Sequence, residues 1–476
     1  MEYEIVIGLE VHTELSSKSK IFCSCTTLFG GEANTHICEG CAGFPGALPV
    51  LNKAVLERAI KTGIATNCEI TRLNRFDRKH YFYPDLPGAY QTTQFYAPVC
   101  QNGFIEVKGP DGNPKKIRIK EIHMEEDAGK LTHDPFDDSS LVDCNRSSVA
   151  LLEIVSEPDF RSAEEVLEYL EKLKAILQYA DVSDCKMQEG SLRADVNLSV
   201  RLVGSEKLGV RTEMKHLNSF KSIARAIESE AQRHIYALED GEKLVQETRR
   251  WDDDKGQSYS MRGKEDAVDY RYFPDPNLPP IVITDEMIEE AAKSMPEMPE
   301  EKKKRYIEEL GLPEYDTGII TNSIHLVRLF EETTEICKDP KEASNWIMGE
   351  LLMLLKDSKT LPEDMSFNPE YLGKIINMLK SGKINRGTAK KVFAQVFENN
   401  IEPEAYVKDN NLELMTDNSA IKEAVEKVIA ENEKSVTEYK SGKQQAFQFL
   451  MGQSMKALKG QAPAQEVSKL LKEILG

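Results

Sequence analysis

Long apolar segments are missing from this chain. No hydrophobic run approaches the roughly 20 residues that a membrane-spanning helix needs, so we expect no membrane partner. The first residues, MEYEIVIGLEVH, lack the basic start and apolar centre of a secretory signal. Together these absences predict a cytoplasmic protein. Neither G-x-x-x-x-G-K-[ST] nor G-x-G-x-x-G occurs, which argues against a P-loop or Rossmann nucleotide site.

Positive charge is scarce relative to negative charge. The net charge of −19 argues against a protein that coats nucleic acid through bulk electrostatics, although it is compatible with a local basic surface. Cysteine occurs nine times, and an odd number without a secretory signal argues against a disulfide framework. The length of 476 residues predicts roughly two to four domains.

Alternation of apolar and polar residues is the main pattern up to about residue 290. A period of two predicts strands with one buried face. Such runs occur at 3–14, 116–122, 192–201 and 210–215. Two helices are predicted to interrupt the sheet, one from near Asn52 and one from Ser162, where Glu165 completes a capping box. Prolines then crowd 274–280, and the pattern beyond them is helical. It predicts a helix at 343–355 and a helical hairpin formed by 369–379 and 388–397.

The polar faces of the predicted strands carry acids and a histidine. Glu10 and His12 are two residues apart, so they share a face opposite the apolar stripe. Asp195 and Glu213 lie on the polar faces of two later strands. A solvated outer face would also be polar, but the recurrence of acids, histidine and basic residues favours a functional site.

Two further segments combine charge with other chemistry. In 123–130, HMEEDAGK, three adjacent acids follow a strand, which suits a solvated loop or a Mg²⁺ site. Histidine suits Mn²⁺ or Zn²⁺ better, so the metal stays open. In 75–85, Arg and Lys lie among four aromatic residues, which suits phosphate and purine binding or an ordinary edge strand with core aromatics.

Cysteines and lysines form two other candidate sites. Cys23-x-Cys25 and Cys38-x₂-Cys41 can close a tetrahedral zinc site, and four thiolates leave no open position for catalysis. We predict that this zinc ion stabilises a loop that has no hydrophobic core of its own. Several lysines lie near the carboxyl end of the chain. They belong either to ordinary solvated helix faces or to a surface that contacts a phosphate backbone. They are Lys443, Lys456, Lys459, Lys469 and Lys472.

Long motifs run through the whole chain. They are IGLEVHTEL at 7–15, FPGALPVLN at 44–52, FDRKHYFYPDLPGAYQTTQ at 76–94, HMEEDAGK at 123–130, EGSLRADVN at 189–197, YRYFPDP at 270–276 and SNWIMGEL at 344–351. In these motifs the chain resembles the GatB family, the B subunits of the aspartyl/glutamyl-tRNA amidotransferases. The resemblance implies an α+β fold: a cradle domain on an antiparallel sheet over 1–292, an all-α domain over 293–405 and a helical, tRNA-binding YqeY-like tail over 406–476.

The resemblance also implies an activity. The family is a carbon–nitrogen ligase of translation with glutamine as amido donor, acting on Glu-tRNA(Gln), Asp-tRNA(Asn) or both. Two partner subunits are implied, an A-type glutaminase that releases ammonia and a small C-type clamp. The GatB subunit phosphorylates the side-chain carboxylate with ATP and lets ammonia displace the phosphate. The implied cofactors are ATP, Mg²⁺ or Mn²⁺, and a structural zinc ion.

Residue roles follow from the same resemblance. The positions associated with the active-site metal are Glu10, His12, Glu126, Asp195 and Glu213. Glu125 is a further or outer ligand. Lys79, helped by Arg78, neutralises phosphate charge, while Tyr81 and Tyr83 stack on the nucleotide or pack in the core. From the local gathering of lysines, rather than from the resemblance, we expect Lys443, Lys456 and Lys459 to contact the tRNA. Two rival hypotheses are a non-catalytic zinc-bearing scaffold that docks tRNA and a stand-alone ATP-dependent ligase.

Overall fold

The computed structural model describes residues 2–134, 137, 139–263, 269–414, 418–458 and 461–476. The chain divides into two compact units, Met1–Glu301 and Lys302–Gly476. Strands occupy the first unit and helices make up the second, so the predicted α+β class is confirmed. The predicted domain boundaries after residues 292 and 405 stay predictions.

The elements are numbered in chain order. The strands are β1 (Tyr3–Glu14), β2 (Glu69–Ile70), β3 (Leu73–Asn74), β4 (Asp77–His80), β5 (Tyr90–Thr93), β6 (Cys100–Lys108), β7 (Pro114–Glu126), β8 (Lys130–His133), β9 (Ser140–Asp143), β10 (Ala150–Ser156), β11 (Leu192–Leu202), β12 (Thr212–Lys215), β13 (Glu247–Asp252), β14 (Gln257–Gly263), β15 (Phe273–Pro274) and β16 (Ile281–Val282). The helices are α1 (Lys53–Ala65), α2 (Ala163–Tyr179), α3 (Phe220–Glu239), α4 (Asp285–Lys293), α5 (Pro299–Glu308), α6 (Glu314–Thr321), α7 (Ile324–Cys337), α8 (Pro340–Trp346), α9 (Leu352–Ser358), α10 (Glu370–Lys380), α11 (Arg386–Asn399), α12 (Pro403–Asp409), α13 (Asn418–Glu431), α14 (Glu433–Lys440), α15 (Gln444–Ala457) and α16 (Ala464–Leu475).

The main sheet has nine strands in the order β14-β13-β12-β11-β1-β10-β7-β6-β2. Its neighbours are antiparallel except β12 and β13, which run parallel. A parallel pair needs a crossover connection, and α3 supplies it. The prediction of only two helices within the sheet was wrong in omitting α3. Its signals were the N-cap Ser219 and buried residues at helical spacing, Ile223, Ala226 and Ile227.

Helices cover one face of the main sheet. Val11 of β1 and Ile154 of β10 lie in one buried cluster with Leu170 and Leu173 of α2 and Ile223 of α3. Both helices predicted from the sequence are confirmed, because α1 begins after the N-cap Asn52 and α2 after the N-cap Ser162. Polar side chains lie on the opposite face of the sheet.

The second unit is built from helices. The predicted hairpin is confirmed as α10 and α11. The predicted helix at 343–355 contains a π-helical segment, Ile347–Leu351, between α8 and α9. Towards the end of the chain, α13, α15 and α16 enclose a separate cluster around Val425, Leu450 and Leu471. None of the described helices is long and apolar enough to cross a membrane.

The apolar face of β10 generates the first prediction. Leu152 is fully buried at the centre of the sheet, whereas Leu141 of β9 is 67% exposed. We expect Leu152→Ala to reduce the free energy of unfolding of the sheet unit by about 2–5 kcal/mol, since it leaves a cavity. Leu141→Ala is the control and should change it by less than about 0.5 kcal/mol. Urea unfolding followed by circular dichroism measures both, and equal losses would contradict the described core.

Candidate active site

The polar face of β1 organises the site. Adjacent residues of a strand point to opposite faces, so Glu10 and His12 face away from the buried Val11. β1 pairs with β11 on one side and β10 on the other. The two registers set Glu10 opposite Asp195 and His12 opposite Glu153. Three strands thus contribute side chains to one polar surface.

Three carboxylates form the first ligand group. Glu10, Asp195 and Glu213 each offer an oxygen atom within 4.8 Å of the others. Lys215 Nζ lies 2.7 Å from Asp195 Oδ2 and 3.1 Å from Glu213 Oε1. Burial alone would lower the pKa of Lys215, but these two carboxylates hold it above its ordinary value. One ammonium beside three carboxylates leaves two negative charges, which suits a divalent cation.

A histidine and two carboxylates form the second ligand group. His12, Glu125 and Glu153 also offer atoms within 4.8 Å of one another. His12 Nε2 is 4.0 Å from Glu125 Oε2 and 3.8 Å from Glu153 Oε1. Thr93 Oγ1 donates to Glu125 Oε1 at 2.5 Å, and Gln91 Nε2 donates to Glu125 Oε2 at 3.1 Å. These two donors, both from β5, orient the Glu125 carboxylate towards His12.

Burial shifts the pKa values of the second group. Desolvation lowers the pKa of His12, which favours the neutral imidazole that binds metals. Desolvation, helped by the neighbouring Glu125 carboxylate, raises the pKa of Glu153 well above its ordinary value. Against the effect of burial, the charge of His12 and the hydrogen bonds from Glu153 and Thr93 instead hold the pKa of Glu125 below its ordinary value. The donor set fits a divalent metal ion.

Glu126 lies apart from both groups. It follows Glu125 in β7, so its side chain points to the opposite face. Its carboxylate accepts hydrogen bonds from the Thr92 amide at 2.8 Å and from Ser148 Oγ at 2.6 Å. Among the predicted metal ligands, Glu126 is the one that the structure does not bring to the polar surface, and Glu125 occupies that position.

Glu153 was missing from the predicted site. Its strand, ALLEIVS at 150–156, reads as an apolar run, and the single acid within it was the available signal. A lone carboxylate in a buried strand costs free energy unless it has a partner. That partner, His12, comes from another strand 141 positions earlier, so the sequence order hides the pair.

The wall of a cleft of about 1220 Å³ includes Lys215, which contacts the first ligand group, and Lys79, whose charge acts on Glu125 and Glu153 of the second. Lys79, Tyr81 and Tyr83, for which the sequence predicts nucleotide binding, line this cleft. Lys79 Nζ lies 5.0 Å from the ring centre of Tyr270, in the motif YRYFPDP at 270–276. A smaller cavity of about 390 Å³ contains His12 and Asp195, and it shares Tyr81 and Lys215 with the cleft. The cleft and the cavity therefore lie side by side, separated by shared lining residues.

Arg78 is directed away from the cleft. Its Nε donates to the buried Asp275 carboxylate at 2.8 Å, and its guanidinium lies 4.1 Å from the ring centre of Tyr90. Strand alternation again explains the difference from Lys79, the next residue of β4. Arg78 joins β4 to the segment after β15, and it does not line the cleft.

The four predicted zinc cysteines lie together. Cys23, Cys25, Cys38 and Cys41 bring their sulfur atoms within 4.8 Å of one another. Cys41 Sγ lies 3.9 Å from Cys25 Sγ and 4.0 Å from Cys38 Sγ. A tetrahedral zinc site with bonds of about 2.3 Å has sulfur atoms about 3.8 Å apart. Hydrogen bonding from Cys23 and the charge of Lys20 lower the pKa of Cys41 to about 4, whereas the hydrogen bond to Cys41 and burial raise the pKa of Cys23. The spacing of the sulfur atoms is what fits zinc.

The predicted tRNA lysines flank α15. Lys443 is its N-cap residue and Lys456 lies in its last turn, so the two exposed side chains are about 20 Å apart along the helix. Lys443 Nζ lies 3.7 Å from Glu438 Oε1. Lys459 lies outside the described residues. Two exposed cations at this spacing could contact separate phosphates.

Comparison with known proteins adds the family. Residues 5–289 match the model of the GatB/GatE catalytic domain, and residues 328–475 match that of the GatB domain. The B subunit of the aspartyl/glutamyl-tRNA(Asn/Gln) amidotransferase from Caldicellulosiruptor bescii is 57% identical over 100% of this chain and 99% of its own. The proteins of the same name from Lachnoclostridium phytofermentans and Thermoanaerobacter pseudethanolicus are 56% and 53% identical, over at least 99% of each chain. This chain belongs to the GatB family of amidotransferase subunits.

The family assignment confirms the predicted resemblance, and with it the prediction that the chain is part of an enzyme. The match to the GatB/GatE catalytic domain contains both ligand groups, the cleft and the four cysteines. The match to the GatB domain contains Lys443 and Lys456.

The cysteine geometry generates the second prediction. We expect the purified chain to hold about one zinc ion, since four thiolates close one tetrahedral site. Cys38→Ser should lower the zinc content, because a hydroxyl is a much poorer zinc ligand than a thiolate. Cys68→Ser is the matched control, since Cys68 lies outside the cluster. Elemental analysis measures all three proteins. A metal-free wild-type chain would contradict the prediction.

Proposed function

We propose that this chain is the subunit of a heterotrimeric amidotransferase that activates and amidates the side-chain carboxylate of a misacylated tRNA. The substrate is glutamate on glutamine tRNA, aspartate on asparagine tRNA, or both, in line with the names of the relatives. The observation that carries the proposal is the pair of ligand groups on one sheet face beside a cleft with basic and aromatic residues.

The proposed chemistry makes the carboxylate a better electrophile. A carboxylate oxygen attacks the γ-phosphorus of ATP, the bond to the bridging oxygen breaks and ADP leaves. Ammonia then attacks the acyl carbon, phosphate leaves with the electrons of the C–O bond, and the nitrogen loses a proton. The amide forms because phosphate is a far better leaving group than oxide. Such phosphoryl transfers depend mainly on positioning and on charge stabilisation.

Residues of the cleft can supply that stabilisation. Lys79 offers an ammonium to the phosphate oxygens, as a compact cation. Tyr81 and Tyr83 offer aromatic faces to the purine ring. We assign Arg78 a supporting role, because its ion pair with Asp275 holds β4 and leaves the cleft to Lys79.

The two ligand groups are the proposed metal sites. Glu10, Asp195 and Glu213 offer only carboxylate oxygens, which suit Mg²⁺. His12 makes Mn²⁺ a better candidate for the second group, in which we propose Glu125 and Glu153 as the other ligands. Bound divalent cations would supply positive charge to the phosphates. The protein's own contribution is to hold the ligands on adjacent strands.

Partners follow from the chemistry. An acyl phosphate is hydrolysed by water, so ammonia should be released within the same complex. An A-type glutaminase subunit meets that need, and a small C-type subunit completes the proposed heterotrimer. The exposed Lys443 and Lys456 are proposed to contact the tRNA backbone. The four-cysteine cluster is proposed to hold a structural zinc ion.

The rival scaffold hypothesis accounts for less of the molecule. A zinc-bearing tRNA scaffold explains the cysteine cluster. It does not explain why two groups of acids, whose mutual repulsion destabilises the fold, lie on the same sheet face. A stand-alone ligase would need only free ammonia and no partner. If ATP hydrolysis depends both on this chain and on misacylated tRNA, the chain is catalytic. If it does not, the chain only docks tRNA.

The third prediction compares neighbouring acids in the assembled heterotrimer. We expect Glu125→Gln and Lys79→Ala to reduce glutamine- and ATP-dependent amidation by about 10²–10³-fold, because each removes charge from the proposed transfer site. Glu126→Gln is the matched control, with the same change one residue later on the opposite face, and it should retain most activity. Gel filtration checks assembly. If Glu126→Gln lost activity and Glu125→Gln kept it, Glu126 rather than Glu125 would be the metal ligand.

The fourth prediction concerns tRNA binding. We expect Lys443→Glu combined with Lys456→Glu to weaken tRNA affinity and to reduce the slope of log affinity against log salt by about one to two. Lys422→Glu on α13, also an exposed lysine, is the control. Filter binding at several salt concentrations measures the slope. An unchanged slope would mean that the RNA contacts lie elsewhere.

A further inference from the structure

Lys20 is a fully buried lysine that the proposed reaction does not use. Its Nζ lies 3.4 Å from Cys41 Sγ and 3.3 Å from the carbonyl oxygen of Cys144. Among the described residues, no carboxylate forms an ion pair with it. The sulfur of Cys41 is therefore the one anionic partner that the described structure offers to this ammonium.

A buried ammonium without an anionic partner is strongly destabilising. A cluster of four thiolates around a divalent zinc ion has the opposite problem, since it carries a net charge of about −2 in a partly buried loop. An N–H donor to one thiolate withdraws charge from that sulfur and orients it. The 3.4 Å contact between Lys20 Nζ and Cys41 Sγ gives the ammonium an anionic partner and reduces the negative charge on the thiolate cluster.

Lys20 also connects the cysteine loop to the sheet domain behind it. Its contact with Cys144 reaches the connection between β9 and β10. The next residue, Ile21, donates its backbone amide to the Ser148 carbonyl at 3.1 Å, in the same connection. The lysine is thus held on two sides, which keeps its ammonium directed at Cys41.

We propose that Lys20 is a positioning residue of the zinc site, neutralising part of the thiolate charge and fixing Cys41 for coordination. This inference rests on the zinc site of the proposed function. It assigns the ammonium an outer-sphere role, in which the lysine raises zinc affinity without binding the metal. Loss of such a partner typically weakens metal binding by about 10–100-fold.

The test measures zinc affinity of the full-length chain by competition with a chromogenic chelator. We expect Lys20→Met to bind zinc about 10–100-fold more weakly, and Lys20→Gln, which keeps a neutral donor, to lie between it and wild type. Lys18→Met is the matched control, because Lys18 is an exposed lysine of the same segment. It should bind zinc as wild type does.

The outcomes separate the two proposals. A wild-type chain that binds no zinc overturns the zinc site, and Lys20 with it. A wild-type chain with zinc whose Lys20→Met variant binds equally tightly overturns the role of Lys20 alone. If Lys20→Met does not fold, the Lys20→Gln variant decides, and wild-type affinity in that variant overturns the inference. Thermal unfolding of the metal-free and zinc-loaded proteins gives a second readout, since weaker binding lessens the stabilisation by zinc.

Discussion

The pairing of β1 between β10 and β11 is the constraint on which the rest of the sheet unit depends. Alternation sends Val11 and its neighbours to the helix-covered core, and Glu10 and His12 to the polar surface. A shift of one residue in either register would exchange the two faces along the whole strand. Hydrophobic burial therefore fixes the register, and the register fixes which acids meet. Stability and site geometry have a common origin here.

The acidic side chains of the polar surface repel one another, and other groups hold them in place. Six candidate ligand side chains in two groups, five of them acids, lie on adjacent strands. Neutral donors and one lysine, Lys215, restrain them, and burial raises the pKa of Glu153 well above its ordinary value. Such an arrangement costs stability in the free protein, and the cations and phosphates of the proposed function would offset that cost. That balance is typical of a site selected for binding charge rather than for folding.

The cysteine loop follows a different principle. Much of its apolar surface is exposed: Leu28, Phe29, Phe44, Leu48 and Val50 are all more than half accessible. Such a loop has little hydrophobic core to define its path, so cross-linking by thiolates is the physical alternative. Lys20 supplies the buried positive charge beside that cross-link. Packing orders the sheet, whereas the proposed zinc coordination would order the loop.

The sequence by itself determined the elements with strong periodicity or clear caps: β1, β11, α1, α2 and the α10–α11 hairpin. Cysteine spacing also identified the thiol cluster, because its pairs are local. Only the tertiary structure decided between Glu125 and Glu126, and between Lys79 and Arg78, since neighbours in a strand differ only in the face they occupy. It alone joined Glu153 to His12, because strand pairing connects residues far apart in the chain. Local pattern shows which residues alternate, and long-range packing decides which of the two faces becomes the site.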